Sequence, residues 1–114
     1  MYYTSEGKYA LTCYFGETAY TASYEGAVGE WTHVVGIYDG SALKLYLNGT
    51  LAATTTVSGA YRPPRLLANY LAIGADPYYI NDGLEYKSKS SIALVNMYGY
   101  ALTAEQVLSK YQGL

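Results

Sequence analysis

One cysteine, one histidine, one tryptophan, one phenylalanine and three prolines are all that this 114-residue chain has of those types. Each scarcity closes off a class of chemistry. The lone Cys13 rules out an internal disulfide and any multi-cysteine zinc site. It lies in an alternating run with Tyr9, Leu11 and Phe15, the place of a buried, inert thiol rather than a nucleophile. The lone His33, with no serine elbow, phosphate-binding glycine loop or HExxH helix, leaves nucleophilic and metal-assisted hydrolysis without their usual parts. Charged residues make up only 14% and the net charge is −2, so no basic footprint for nucleic acid or an anionic membrane exists. No apolar run reaches the length of a membrane-spanning helix. No basic-plus-apolar leader opens the chain, and the expectation is that any export signal was removed or lies upstream in a longer protein.

Tyrosine and glycine, by contrast, are abundant, at 16 and 12 residues. Tyrosine suits half-buried sheet surfaces, packing its ring while its hydroxyl meets water or a polar ligand. The length allows one domain with a modest core. The clearest pattern runs from Gly29 to Val57, where three stretches read as an antiparallel meander. His33 to Asp39 alternates, Leu43 to Leu47 alternates, and Leu51 to Val57 is small and β-branched. Asn48-Gly49 is the pair that tolerates positive φ at both centres of a type I′ turn, and Asp39-Gly40-Ser41 supplies the other turn through Asp bonding to its own downstream amides. Leu43, Leu45 and Leu47 share the face that is expected to be core. A one-residue slip would expose all three, so the register is strongly specified.

Residues 1–7 read as a loose polar lead-in. Lys8 to Phe15 and Thr18 to Tyr24 alternate around Gly16-Glu17 and predict a hairpin. Ser58 to Tyr70 reads as a loop barred from regular structure by Gly59 and Pro63-Pro64. Leu71 to Gly74 predicts a short strand, Ala75 to Ser91 a long loop, and Ser91 to Tyr98 a further strand. Thr103 with Gln106 fits a capping box. Ala104, Val107, Leu108 and Tyr111 then give one apolar stripe, and Gly113 is placed to end the helix.

Several of these pieces, taken in order, resemble a known family. They are Trp31-Thr32-His33-Val34, Tyr38-Asp39-Gly40-Ser41, Leu45-Tyr46-Leu47-Asn48-Gly49, Ile73-Gly74, Ile92-Ala93-Leu94-Val95 to Tyr98, and Ala101-Leu102-Thr103. Together they resemble the laminin-G-like branch of the concanavalin A-like lectin/glucanase superfamily, over roughly Gly29 to Val107. The resemblance implies an all-β, antiparallel jelly-roll β-sandwich with one short C-terminal helix. Its bacterial members are mostly non-catalytic accessory or adhesion modules, which implies an extracellular or cell-surface setting and a glycan or cell-surface protein as partner. The family pattern normally has several strands before the first one matched. Residues 1–114 therefore read as a single domain, the C-terminal portion of a fuller and here partial module. The missing strands are expected from a second copy, in a homo-oligomer, or from a companion segment; alternatively the Lys8–Tyr24 hairpin closes the sandwich in a minimal form.

Three kinds of site bear on function. Glucanases of the superfamily use two glutamates close together on one strand, whereas Glu6, Glu17, Glu25, Glu30, Glu85 and Glu105 are scattered, so no enzyme is expected; a glucanase would need a carboxylate pair less than about 6 Å apart. Asp76, Asn81 and Asp82 offer hard oxygen ligands that could hold calcium, or equally form Asx turns; no cofactor is required. Carbohydrate recognition needs an aromatic platform with polar groups beside it. Tyr61, Arg62 and Arg65 on one loop, with Tyr78, Tyr79, Asn81, Asp82 and Tyr86 on the next, supply that set. The competing reading is that these tyrosines only pin the loops, in a structural or protein-interaction domain without a small ligand. Asn48-Gly49-Thr50 is a glycosylation sequon by accident of turn chemistry. Trp31 could stack on a sugar, but its position just before an alternating strand favours core or rim packing, and the resemblance makes His33 a packing or hydrogen-bonding residue beside it.

Overall fold

The computed structural model describes residues 1–61, 73–74 and 89–114. The chain divides into two compact units, residues 1–63 with 98–114, and residues 64–97. In the first unit six strands and one helix follow in order. These are β1 (Tyr2–Tyr3), β2 (Lys8–Phe15), β3 (Thr18–Glu25), β4 (Val34–Tyr38), β5 (Ala42–Leu47), β6 (Thr50–Thr56) and α1 (Ala104–Gln112). They form two antiparallel sheets, ordered β1-β2-β3 and β4-β5-β6.

The two sheets pack face to face because each has one apolar side. Phe15 and Ala22 from the first sheet meet Leu43 and Leu45 from the second, with Leu11, Cys13, Tyr20, Val34, Leu47 and Ala53 completing the layer. Leu43 and Leu45 are fully buried and Leu47 is partly covered, so the leucine face is turned inward as its alternation requires. Cys13 is a free thiol in this layer, and burial pushes its pKa up. Gly36 of β4 lies against Leu11, and a Cβ there would stand 3.1 Å from both Leu11 methyl groups. Glycine at this position lets the two sheets approach.

The opposite side of the second sheet is covered as well. Ile37 and Tyr46 form a separate core with Leu102 and Val107, the buried anchor of α1. The helix starts where the capping box predicts. Thr103 Oγ1 accepts from Gln106 N at 3.2 Å, and the Gln106 side chain accepts from Thr103 N at 2.8 Å. The second sheet is therefore the middle layer of three.

Both meander turns take the expected form. Asn48 and Gly49 have φ of 49° and 80°, the positive pair of a type I′ turn. Asp39 Oδ1 accepts from Ser41 N, Ser41 Oγ and Ala42 N at 3.0, 3.0 and 2.9 Å. Its other carboxylate oxygen meets Lys44 Nζ at 2.6 Å. Lys44 foremost, then these turn donors, hold the Asp39 carboxyl well below the usual carboxylate range. Because the folded pKa is depressed, this contribution to stability is present above the unfolded value of about 3.9 and lost as pH falls below it. In Asp39→Asn the turn acceptor stays but the charge goes. The expected result in urea melts is a lower midpoint at pH 7 and curves that converge with the unaltered protein towards pH 2; parallel curves would remove Asp39 from the acid response.

Three expectations are corrected. The lead-in is not loose: Thr4 Oγ1 accepts from Lys8 N at 3.1 Å and Tyr2–Tyr3 adds a strand beside Tyr9 and Ala10. Ser91 to Tyr98 forms no strand, and Ile92, Leu94, Val95 and Met97 are exposed. Their alternation marks side chains that favour burial, but a strand also needs a ladder partner, and none is present among the described residues. Ile73-Gly74 is a bend, with the rest of the expected 71–74 strand outside the described residues.

Candidate functional site

One end of the sandwich gathers the Gly16-Glu17 turn, the Asp39–Ser41 turn and the segment after β6. Val57 N donates to Ser41 O at 2.9 Å and Gly16 N to Ala60 O at 3.0 Å, which draws residues 57–61 across this end. Tyr61 then bridges to Phe15 in antiparallel fashion. Buried Phe15 becomes the floor of an aromatic cluster. Its ring meets Tyr20, Tyr38 and Tyr61 edge-on at 5.7, 5.1 and 5.7 Å between centroids.

Tyr38 and Tyr61 stack on each other above this floor, 6.1 Å apart with 28° between their planes. They remain 39% and 49% exposed, so the pair presents aromatic surface to solvent while resting on the core. Tyr38 Oη donates to Gly40 O at 3.2 Å, which fixes its ring beside the Asp39 turn. Tyr20 Oη and Ser58 Oγ share a hydrogen bond of 2.9 Å at the same end. The polar atoms of Asp39 and Lys44 are engaged with each other and with the turn.

Of the residues picked from sequence for ligand binding, Tyr61 is at this platform. Arg62, Arg65, Tyr78, Tyr79, Asn81, Asp82 and Tyr86 lie outside the described residues, as do the calcium candidates Asp76, Asn81 and Asp82. Among the described residues no cluster of three His, Cys, Asp or Glu side chains could hold a metal ion. Tyr38 was missed by the sequence reading. Its signal was its position: it is in phase with Val34 and Gly36 on the inner face but is the last residue of β4, where that face meets the rim.

His33 and Trp31 part company. His33 packs on the helix, its ring 6.0 Å from Tyr111 with 22° between planes, and its backbone N–H donates to Asn48 Oδ1 at 2.9 Å. Burial leaves Nδ1 without a partner among the described residues and lowers the imidazole pKa. Trp31, expected to pack, is instead 71% exposed on the loop before β4. A second concavity, an open groove of about 290 Å³, lies along α1 between Tyr100, Leu102, Glu105, Gln106, Ser109 and Lys110. Its polar groups are engaged internally: Gln106 in the helix cap, Lys110 over the Tyr98 ring at 4.7 Å.

Two antiparallel sheets closed over an apolar layer define a β-sandwich, with a tyrosine pair standing at its rim. The chain belongs to the concanavalin A-like lectin/glucanases superfamily: the Laminin_G_3 family model matches residues 1–108. Comparison with curated proteins and with solved structures gave no match.

Proposed function

We propose that this chain is a non-catalytic recognition module that binds glycans through the Tyr38–Tyr61 platform, within a secreted or cell-surface protein. The observation that carries this reading is a stacked, solvent-facing tyrosine pair resting on Phe15. Two aromatic faces fixed at one end of a sandwich suit the C–H face of a sugar ring. Their immobilisation before binding limits the ordering cost that weakens flexible sites. Arg62 and Arg65, with Tyr78, Tyr79, Asn81, Asp82 and Tyr86, are proposed from the sequence alone as hydroxyl-binding groups. Superfamily membership supports the ligand class, since the family includes lectins. No described helix is long and apolar enough to cross a membrane.

Affinity electrophoresis against a panel of soluble polysaccharides tests the reading. At least one polysaccharide is expected to retard the protein, and Tyr61→Ala and Tyr38→Ala are each expected to weaken that retardation about five- to thirtyfold, the loss of one aromatic contact at about 1–2 kcal/mol. Retardation unchanged in both variants would move the site elsewhere. No retardation by any polysaccharide, with tight capture of a single protein partner, would favour a protein-interaction domain instead. Calcium held by Asp76, Asn81 and Asp82 is a separate proposal, and a melting temperature unmoved by millimolar calcium or by chelator would dismiss it.

A further inference from the structure

Among the described residues the sheet β4-β5-β6 ends on one side at β4, and the ladder fixes which of its backbone groups are left over. Asn48 N donates to His33 O and Asp39 N to Ala42 O, so the bonded pairs lie just outside the strand ends. With Val34 opposite Leu47 and Tyr38 opposite Leu43, alternation makes Val35–Tyr46 and Ile37–Lys44 the bonded pairs within the strand. The N–H and C=O groups of Val34, Gly36 and Tyr38 therefore point away from β5. No backbone bond to them from a described residue is present.

We propose that this edge pairs with the same edge of a second copy of the chain, giving a continuous sheet β6-β5-β4-β4-β5-β6 across a two-fold axis at Gly36. The strand is complementary to itself in that register. Gly36 faces the partner's Gly36, and Val34 faces the partner's Tyr38. Every one of these residues carries outward backbone groups, so each pair exchanges both N–H···O bonds. Val35 then lies opposite the partner's Ile37, an apolar cross-strand pair. The strand Val-Val-Gly-Ile-Tyr has no charge and no proline, the two devices that commonly block edge pairing. Gly36 is exposed and has no side chain to hold a neighbouring strand away. Trp31 lies on the loop just before β4, so its exposed indole stands beside the proposed seam. This proposal does not depend on the glycan reading.

The test is sedimentation velocity combined with amide hydrogen exchange, run on the unaltered chain over a hundredfold range of concentration. The expected result is a species of twice the chain mass at high concentration. The amides of Val34, Gly36 and Tyr38 gain protection at least tenfold as it forms, and those of Ala19, Thr21 and Ser23 on the outer side of β3 do not. Trp31→Asp puts a charge on the exposed loop before β4, beside the proposed seam, without touching the core. It is expected to keep the monomer's melting temperature and shift the dimer to at least tenfold higher concentration. A monomer throughout, or a dimer whose protection appears on β3 and not on β4, overturns the proposal.

Discussion

Leu45→Ala is expected to remove about 2–5 kcal/mol of stability, the usual range for a buried leucine whose cavity only partly collapses. Leu45 is fully buried between the sheets, packed in the cluster of Phe15, Ala22 and Leu43. Its strand cannot settle into the gap, because β5 is held on both sides by β4 and β6 and its other face is covered by Leu102 and Val107. A small domain has only about 5–15 kcal/mol to lose. Equilibrium urea unfolding is the check, with the slope unchanged and the midpoint sharply lowered. A loss below about 1 kcal/mol would mean that this position is not in a packed core, and the two-sheet arrangement would fall with it.

Gly49→Ala is expected to be nearly as damaging although it only adds a methyl group. The residue has φ of +80°, where a Cβ costs about 1–2 kcal/mol. The added Cβ would also stand 3.0 Å from Leu108 Cδ1 and 3.0 Å from Tyr111 Cδ1, so the helix must shift or its side chains must leave their rotamers. Overpacking of that kind adds about 1–3 kcal/mol, for a total of about 2–5 kcal/mol. The two causes can be separated. In a Leu108→Ala, Tyr111→Ala background the contact part is relieved and the backbone part remains, so the penalty is expected to fall by about half. An equal penalty in both backgrounds would show that α1 does not rest on the Asn48-Gly49 turn.

These two positions also mark what could be read from the chain beforehand. The leucine face of β5 follows from alternation alone, and the Asn48-Gly49 turn from the few residues that accept positive φ. The capping box at Thr103 is equally local, two side chains three residues apart. Contacts made between distant segments were not legible. Nothing local to Tyr46 says that its side chain ends beneath Leu102 and Val107, and nothing local to Gly49 says that a helix begun more than fifty residues later closes over it. The expected strand over 91–98 failed for the related reason that period reports which side chains favour cover and not what pairs with their backbone. At the candidate site Tyr61 was found because tyrosine next to arginine suggests recognition. Tyr38 was passed over because it fell inside a strand already explained, and only the bridge from Tyr61 to Phe15 reveals the two rings as one surface.

The placement of Trp31 has a practical consequence for anyone following this protein by fluorescence. The sole indole stands in water on the loop before β4, away from the apolar layer between the sheets. Its emission is expected to be red-shifted already in the native state and to change little when the interior comes apart, so a melt followed at that wavelength would report a nearly featureless line. Tyrosine emission, or circular dichroism from the packed rings around Phe15, is where cooperative loss of structure becomes visible.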